Sequence, residues 1–274
     1  MGAFENKWGT PQNAPPVIAT QSDLTIAEDG TSTATLTATD ANDDAITYSA
    51  VSDTNAVTVS VSSSTLTLTP NANWNGTATI TAYASDGSLK DSTTFSLTVT
   101  PVNDAPVITA VSNYSTDEET EKAIKLSGSD IDGDALTYTA SSDTSAVAIT
   151  ISTDTLKLNP ATNYTGTAKI TVIVSDNKLT DTTSFTFKVI NVNDAPVIAA
   201  VSDVIFAEDT SGSLVLSAND IDGDVLTYSA KSSSADVAAT VSKDTLTLTP
   251  AANWNGTSTI TAYASDGTLK DSTT

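Results

Sequence analysis

The sequence predicts an all-β protein made of three tandem immunoglobulin-like Greek-key β-sandwiches in an elongated rod, the third lacking its last strand. Three observations lead to this fold class. The chain has an uninterrupted internal repeat, its apolar residues alternate with Thr or Ser in short segments, and its turns are rich in Asp, Asn and Gly. Together they indicate a series of small domains rather than one large core.

The repeat is marked by a proline-centred run, NAPPVI at 13–18, which returns as NDAPVI at 103–108 and 193–198. Pro16, Pro106 and Pro196 show a constant step of 90 residues. Solenoid repeats are only ~20–50 residues long and need neighbours to bury a core, so each longer unit is expected to fold as a domain. We therefore expect an N-terminal segment at 1–12 and repeats at 13–102, 103–192 and 193–274.

The local pattern within each unit is that of strands. TLTLT at 65–69, TATITAYA at 77–84 and FSLTV at 95–99 alternate apolar and hydroxyl side chains, the period of a strand buried on one face. In repeat 2 the pattern predicts strands near 106–115, 122–128, 135–141, 146–152, 155–158, 167–174 and 183–190. Seven short strands per unit are typical of an immunoglobulin-like sandwich.

Composition narrows the range of partners. The chain has 33 Asp and Glu against 11 Lys and Arg, a net charge of −22, which disfavours nucleic acid and anionic membranes and favours a cation. Cys and His are both absent, which excludes disulfides and removes the preferred ligands of zinc and copper but not those of calcium. No apolar run is long enough to span a membrane, and a secreted, cell-surface location is expected.

Greek-key topology predicts where the acidic residues meet. The loop after the first strand of repeat 1 holds Glu28, and the next loop of repeat 2 is DIDGD at 130–134. Loops alternate between the two ends of a sandwich. We therefore expect four segments to converge between repeats 1 and 2: these two loops, the loop at Asp176, and the linker at Asn103 and Asp104. Repeats 2 and 3 are expected to form the same cluster around Glu118 and the DIDGD loop at 220–224.

Converging carboxylates repel one another unless a cation lies between them, and Ca²⁺ takes six to eight oxygen ligands of mixed kinds. Acids at alternate positions in DIDGD could surround one ion, with Gly133 permitting a tight turn. The alternative is that Asp and Gly simply make good turns. Recurrence beside an acidic linker favours the ion.

These motifs carry a family resemblance. NDAPVI, the acidic AED or EET after the first strand, DIDGD, and SDG or SDN together resemble the bacterial cadherin-like (VCBS-type) tandem repeats of large secreted adhesins, over residues 13–274. The resemblance implies calcium at each linker, holding neighbouring repeats rigidly. The implied metal ligands are Glu28, Asn103, Asp104, Asp130, Asp132, Asp134 and Asp176 at the first junction, and Glu118, Asn193, Asp194, Asp220, Asp222, Asp224 and Asp266 at the second.

Repeat 1 departs from the pattern. Ala14 replaces the linker Asp, and DANDD at 40–44 replaces DIDGD. We expect the corresponding site of repeat 1 to be weak or empty.

The sequence leaves several functions open. The first is a non-catalytic, calcium-rigidified stalk of a microbial surface or biofilm adhesin, and the second is a subunit of an extracellular filament. Carbohydrate binding through Trp74, Tyr164 and Trp254 has lower weight, because aromatic residues at such turns more often close the end of the sandwich. Glycosidase activity of paired carboxylates is disfavoured, because every pair is copied beside a linker.

The filament hypothesis rests on the two ends of the sequence. Repeat 3 ends at Thr274, which corresponds to Thr94 in repeat 1, so its last strand is missing. A sandwich without that strand exposes an apolar groove and unpaired backbone groups. The segment around Phe4 and Trp8 could fill the groove of a neighbouring molecule as a donor strand. The alternative is a boundary placed by the repeat register.

Overall fold

The computed structural model describes residues 12–274, which consist of strands, turns and irregular segments without any helix. In that part of the chain, no helix is available to cross a membrane. The all-β prediction is therefore confirmed. The predicted donor segment with Phe4 and Trp8 lies outside the described residues and stays a prediction.

Repeat 1 contains nine strands: β1 Val17–Ile18, β2 Leu24–Ala27, β3 Ser32–Thr35, β4 Ala38–Thr39, β5 Thr47–Ser52, β6 Val57–Ser62, β7 Thr65–Pro70, β8 Gly76–Ser85 and β9 Lys90–Thr100. Repeat 2 contains β10 Val107–Ile108, β11 Tyr114–Asp117, β12 Lys122–Lys125, β13 Gly128–Ser129, β14 Thr137–Ser142, β15 Val147–Ser152, β16 Thr155–Pro160, β17 Gly166–Ser175 and β18 Thr180–Ile190. Repeat 3 contains β19 Val197–Ile198, β20 Gly212–Val215, β21 Ala218–Asn219, β22 Thr227–Ser232, β23 Val237–Ser242, β24 Thr245–Pro250, β25 Ile260–Ser265 and β26 Lys270–Thr273.

The described residues form two compact units. The first contains repeat 1 up to residue 107 together with residues 128–137 and 174–181, which are the acidic loops of repeat 2. The second contains residues 108–127, 138–173 and 182–274. Each unit therefore holds one complete linker with the acidic residues on both sides of it.

Repeat 1, in the first unit, is a sandwich of two main sheets with strand orders β2-β9-β8-β5 and β3-β7-β6. Its core forms because one face of each strand is apolar: Leu66, Leu68, Ile80 and Leu97 are completely buried. Thr and Ser alternate with them and face outward, as the period-two pattern predicted.

The first strand of the repeat differs from the prediction. It is not continuous: β1 pairs antiparallel with β4, whereas β2 pairs parallel with β9 in the other sheet. Residues 19–23 (ATQSD) are mostly exposed and offer no large apolar side chain to continue the strand across the gap. In repeat 2 the predicted strand at 106–115 is likewise split into β10 and β11, and that at 122–128 into β12 and β13.

The second unit repeats this design. In repeat 2, β12, β16 and β15 form one sheet in that order, and β11 pairs parallel with β18. Phe187, Leu156, Leu158 and Ile170 are completely buried there. In repeat 3, β20-β24-β23 and β22-β25-β26 form the two sheets around Leu216, Leu246 and Ala264.

Repeat 3 departs from repeats 1 and 2 at its open edge. Residues 204–207, which correspond to β2 and β11, form no strand, and no described segment pairs with them as β9 pairs with β2 and β18 with β11. A groove of about 750 Å³ lies there, lined by apolar side chains that include Phe206, Leu248 and Trp254. Ile205 is 95% exposed beside it.

Candidate metal centres

The first junction cluster is the set Glu28, Asn103, Asp104, Asp130, Asp132, Asp134 and Asp176, all of which lie in the first unit. Glu28 follows β2 and is only 4% exposed. Its Oε1 accepts a hydrogen bond from the backbone N–H of Val102 at 2.5 Å. Glu28 thus connects the end of repeat 1 to the linker that follows.

The DIDGD loop is organised around its first residue. Asp130 Oδ1 accepts hydrogen bonds from the backbone N–H groups of Asp132 at 3.0 Å and Asp134 at 3.2 Å. Gly133 has a φ of 79°, a left-handed conformation that favours glycine at this turn. Asp130 Oδ2 is buried and has no hydrogen-bond partner. The turn therefore uses one oxygen of Asp130 and leaves the other available.

The linker residues complete the cluster. Asp104 donates its backbone N–H to Asp132 Oδ2 at 2.8 Å, and Asn103 donates from Nδ2 to Asp176 Oδ2 at 2.7 Å. Glu28, Asp104 and Asp132 each bring a carboxylate oxygen within 4.8 Å of the other two. Asp104 Oδ2 is a second buried oxygen without a partner.

The pKa values reflect two different environments. The pKa of Asp104 is raised by desolvation and by the negative charges of Asp132, Asp29 and Glu28. The pKa of Asp176 is lowered to about 2, because its carboxylate accepts hydrogen bonds from Asn103 and from the backbone N–H groups of Leu179 and Lys178. The ionised form of Asp104 is thus destabilised by desolvation and by the neighbouring negative charges, whereas the ionised form of Asp176 is stabilised by its hydrogen bonds.

The second junction cluster is the set Glu118, Asn193, Asp194, Asp220, Asp222, Asp224 and Asp266, all in the second unit. Glu118 Oε1 accepts the N–H of Val192 at 2.7 Å, and Asp194 donates its N–H to Asp222 Oδ2 at 2.7 Å. Two groups of acids form here, one of Glu118, Asp194 and Asp222 and one of Asp220, Asp222 and Asp224.

The second cluster also reproduces the hydrogen bonds that organise the first. Asp220 Oδ1 accepts backbone N–H groups from Asp222 at 2.9 Å and Asp224 at 3.4 Å, and its Oδ2 is buried without a partner. Asn193 donates to Asp266 Oδ2 at 2.8 Å and lowers the pKa of that carboxyl. The two junctions are therefore built alike from sequences 90 residues apart.

Repeat 1 contains a reduced version of these clusters. Asp40, Asp44 and Asp86 bring oxygens within 4.8 Å of one another, and Asp40 Oδ2 is buried without a partner. Ala14 donates its backbone N–H to Asn42 Oδ1 at 2.8 Å, which reproduces the linker contact but adds no carboxylate. The expectation of a weak site at this position stays a prediction.

Lys178 contacts the first junction cluster, which the sequence analysis did not predict. Lys178 Nζ lies 2.7 Å from Asn103 Oδ1 and 3.6 Å from Asp134 Oδ2. The sequence does show a difference here, because repeat 2 has Lys178 where repeats 1 and 3 have the uncharged Ser88 and Thr268. Only the folded linker shows that this side chain reaches the acidic cluster.

The three aromatic turn residues close the ends of their sandwiches. Trp74 and Trp254 pack against the cores of repeats 1 and 3. Each ring lies over a glycine, Gly76 with φ 146° and Gly256 with φ 155°, where a Cβ atom would meet the ring at 3.0 Å. Tyr164 donates a hydrogen bond from its hydroxyl to the carbonyl of Thr167 at 3.3 Å. This packing favours the structural interpretation of these residues over sugar stacking.

Comparison with solved structures shows the fold. The cadherin fragment PcdhgB3 EC1-4 is 16% identical, with a TM-score of 0.53, over 94% of this chain and 74% of that one. The I-band fragment from titin is 17% identical, with a TM-score of 0.34, over 95% of this chain and 96% of that one. The endo-fucoidan hydrolase MfFcnA4 from glycoside hydrolase family 107 is 21% identical, with a TM-score of 0.31, over 95% of this chain and 44% of that one. This chain therefore spans less than half of that hydrolase.

Comparison with sequences identifies the family. No curated protein matches the chain. The family described as bacterial Ig domain matches residues 13–100, 103–188 and 193–274, which together form most of the chain. Each matched segment lies within one copy of the internal repeat. The chain therefore belongs to the bacterial Ig domain family and carries three of its domains in tandem.

Proposed function

We propose that this chain is a non-catalytic extender of a microbial cell-surface adhesin, and that Ca²⁺ at each junction holds neighbouring repeats rigidly. The observation that carries the proposal is the set of buried carboxylate oxygens without partners at the junctions, Oδ2 of Asp104, Asp130 and Asp220. A buried polar atom without a partner points to a water or an ion that completes its environment.

The chemistry of the donors favours calcium. The available ligands are carboxylate oxygens, the side-chain oxygens of Asn103 and Asn193, and backbone carbonyls, in irregular loops. Ca²⁺ accepts six to eight such oxygens in flexible geometry, whereas Mg²⁺ requires a near-ideal octahedron and retains waters. The raised pKa of Asp104 is relieved by a bound cation, because it results partly from neighbouring negative charges.

Calcium would act as a bridge. Glu28 belongs to repeat 1, Asp104 to the linker and Asp132 to repeat 2, so a single ion bound by all three ties two domains to one point. Free rotation about the linker is then lost. An extender of this kind holds a binding domain away from the cell, which suits a secreted protein in millimolar extracellular calcium. Dissociation constants of about 10⁻⁴–10⁻³ M are expected for such modules.

The test measures stability and dimensions with and without calcium. At free Ca²⁺ about 100 times the dissociation constant, each site adds ~2.7 kcal/mol to the free energy of unfolding. We expect EDTA to lower the melting temperature and to reduce the maximum dimension measured by small-angle scattering. The double variant Asp104→Ala, Asp132→Ala should lose calcium binding at the first junction only.

The matched control is Asp154→Ala, because Asp154 pairs with Lys125 and belongs to neither junction cluster. It should leave the calcium response unchanged. A melting temperature and a maximum dimension that both stay constant on chelation would refute the calcium bridge. Equal loss of binding at both junctions in the double variant would show that the ligand assignment is wrong.

The apolar groove of repeat 3 favours a second candidate, self-association of the 274-residue chain into a filament by strand addition. Residues 204–207 belong to no strand, and Phe206, Leu248 and Trp254 line a groove that an apolar strand could fill. The donor would be the segment with Phe4 and Trp8 of another copy. Sedimentation at high concentration should show polymers that the double variant Phe4→Asp, Trp8→Asp abolishes. A monomeric chain would exclude this candidate.

A further inference from the structure

The two junction clusters differ by one positive charge. At the first junction, Lys178 Nζ lies 2.7 Å from Asn103 Oδ1 and 3.6 Å from Asp134 Oδ2, two of the candidate calcium ligands. At the second junction, Thr268 occupies the corresponding position and offers no cation. The seven candidate ligands have the same residue types at both junctions, because each junction has a buried Glu, an Asn-Asp linker and a DIDGD loop.

The position of Lys178 follows from the turn that precedes β18. Asp176 Oδ1 accepts the backbone N–H groups of Lys178 at 2.7 Å and Leu179 at 2.6 Å, so the turn is closed by the same carboxylate that binds Asn103. This arrangement fixes the start of the lysine side chain beside the linker. The ammonium group then reaches the oxygen-rich side of the cluster.

We propose that Lys178 determines the calcium affinity of the first junction by competing with the ion for Asn103 and Asp134, so that the second junction binds Ca²⁺ at lower concentration than the first. This inference rests on the proposed function, because it concerns the same sites. The ammonium group of Lys178 occupies two oxygens, Asn103 Oδ1 and Asp134 Oδ2, that would otherwise be available to the metal.

Electrostatics decides the direction of the effect. A bound Ca²⁺ and the ammonium group would lie a few ångströms apart and repel each other. Calcium binding at the first junction must therefore move the side chain of Lys178 outward and break both of its contacts. The side chain is 65% exposed, so that movement is possible and the cost is moderate. The lysine weakens binding without preventing it.

The consequence is a stepwise response to calcium. At calcium concentrations between the two dissociation constants, the second linker is bridged by metal, while the first is held by hydrogen bonds without the metal, among them those of Lys178 and Asn103. One junction of the chain would then remain compliant at calcium concentrations that rigidify the other. The difference between Lys178 and Thr268 at one repeat position would thus make one linker stiffer than the other at the same calcium concentration.

The test is calcium titration calorimetry on the full chain. In an Asp222→Ala background, which disables the second junction, Lys178→Thr should tighten binding of Ca²⁺ at the first junction by roughly three- to fivefold. In an Asp132→Ala background, Thr268→Lys should weaken the second junction by a similar factor. Lys178→Thr alone should bring the two affinities of the wild-type chain together, which gives a readout even where a background variant folds poorly.

Two controls separate the local contact from net charge. Lys188→Thr removes an equal charge from an exposed position on β18, far along that strand from the first junction. It should change the calcium affinity of the first junction by less than about twofold, because salt screens distant charges. Lys178→Arg keeps the charge and should keep the weaker affinity. Calcium binding with equal effects of Lys178→Thr and Lys188→Thr would overturn the role of Lys178 while leaving the calcium proposal standing. An absence of calcium binding in every variant would overturn both.

Discussion

The aspartates of this chain have two different structural roles, which the sequence alone does not distinguish. Asp86 Oδ1 accepts the backbone N–H groups of Ser88 at 2.7 Å and Leu89 at 2.6 Å, and Asp91 Oδ2 accepts the N–H of Ile18 at 3.0 Å. These carboxylates hold turns and strands in place. Asp130 and Asp220 instead use one oxygen for their turn and leave the other buried and unpaired. Carboxylates of the second kind have an oxygen that no hydrogen bond occupies and that a metal could use.

At this scale the pKa of Asp176 gives a prediction. Its value of about 2 lies below the ordinary 3.8, so the ionised carboxylate stabilises the native state above pH 4 and that contribution is lost as pH falls from about 4 towards 2. In EDTA, Asp176→Asn should therefore lower the midpoint of urea unfolding at pH 5, and the difference from wild type should shrink towards pH 2.

The exposed Asp117 on β11 provides the control for that measurement. Asp117→Asn should change the midpoint little at either pH. A difference between wild type and Asp176→Asn that stays constant from pH 5 to pH 2 would contradict the assignment of the low pKa to this carboxyl.

The sequence predicted the candidate site in part. Asp and Glu at repeated positions identified which residues converge, because Greek-key topology places the loops. Which oxygens are free could not be predicted, since this depends on backbone N–H groups such as those of Asp132 and Asp134 that face Asp130 only in the folded turn. The reach of Lys178 into the cluster likewise depends on the linker's path.

At the scale of elements, the strands follow from period-two patterning. β7, β8 and β9 lie where the alternation of apolar and hydroxyl residues predicted them, because each has one face on the core. The first strand could not be predicted as two pieces. Its division depends on β4 and β9, which lie in different sheets and are distant in sequence.

Each sandwich has its own core, and this predicts that core damage stays local. Leu156 on β16 is completely buried, whereas Asn159 on the same strand is exposed. Leu156→Ala should destabilise repeat 2 by about 2–5 kcal/mol, and Asn159→Ala should stay within ~0.5 kcal/mol of wild type.

Hydrogen exchange measured by mass spectrometry can assign the effect to a repeat. In Leu156→Ala, faster exchange should be confined to peptides between 103 and 192, with repeats 1 and 3 protected as in wild type. Simultaneous loss of protection in all three repeats would contradict the proposed boundaries and indicate one cooperative unit.

At the scale of the whole molecule, charge and repetition act together. A net charge of −22 over 274 residues opposes the close approach of two copies of the chain and attracts divalent cations to wherever acids are concentrated. Composition predicted the class of partner for this reason. Composition could not predict the difference between the junctions at Lys178 and Thr268, because one lysine hardly changes the total charge.

The pairing of the outer strands determines how a repeat bears tension. β2 and β9 run parallel through four residue pairs, Leu24 with Leu97 to Ala27 with Thr100, and β11 and β18 do the same in repeat 2. A load that pulls the beginning of a domain away from its end slides these strands past each other, so all their hydrogen bonds are strained at once instead of opening one after another. In repeats 1 and 2 a pulling force therefore loads the parallel strand pair in shear. In this geometry a short series of backbone hydrogen bonds resists flow or traction best.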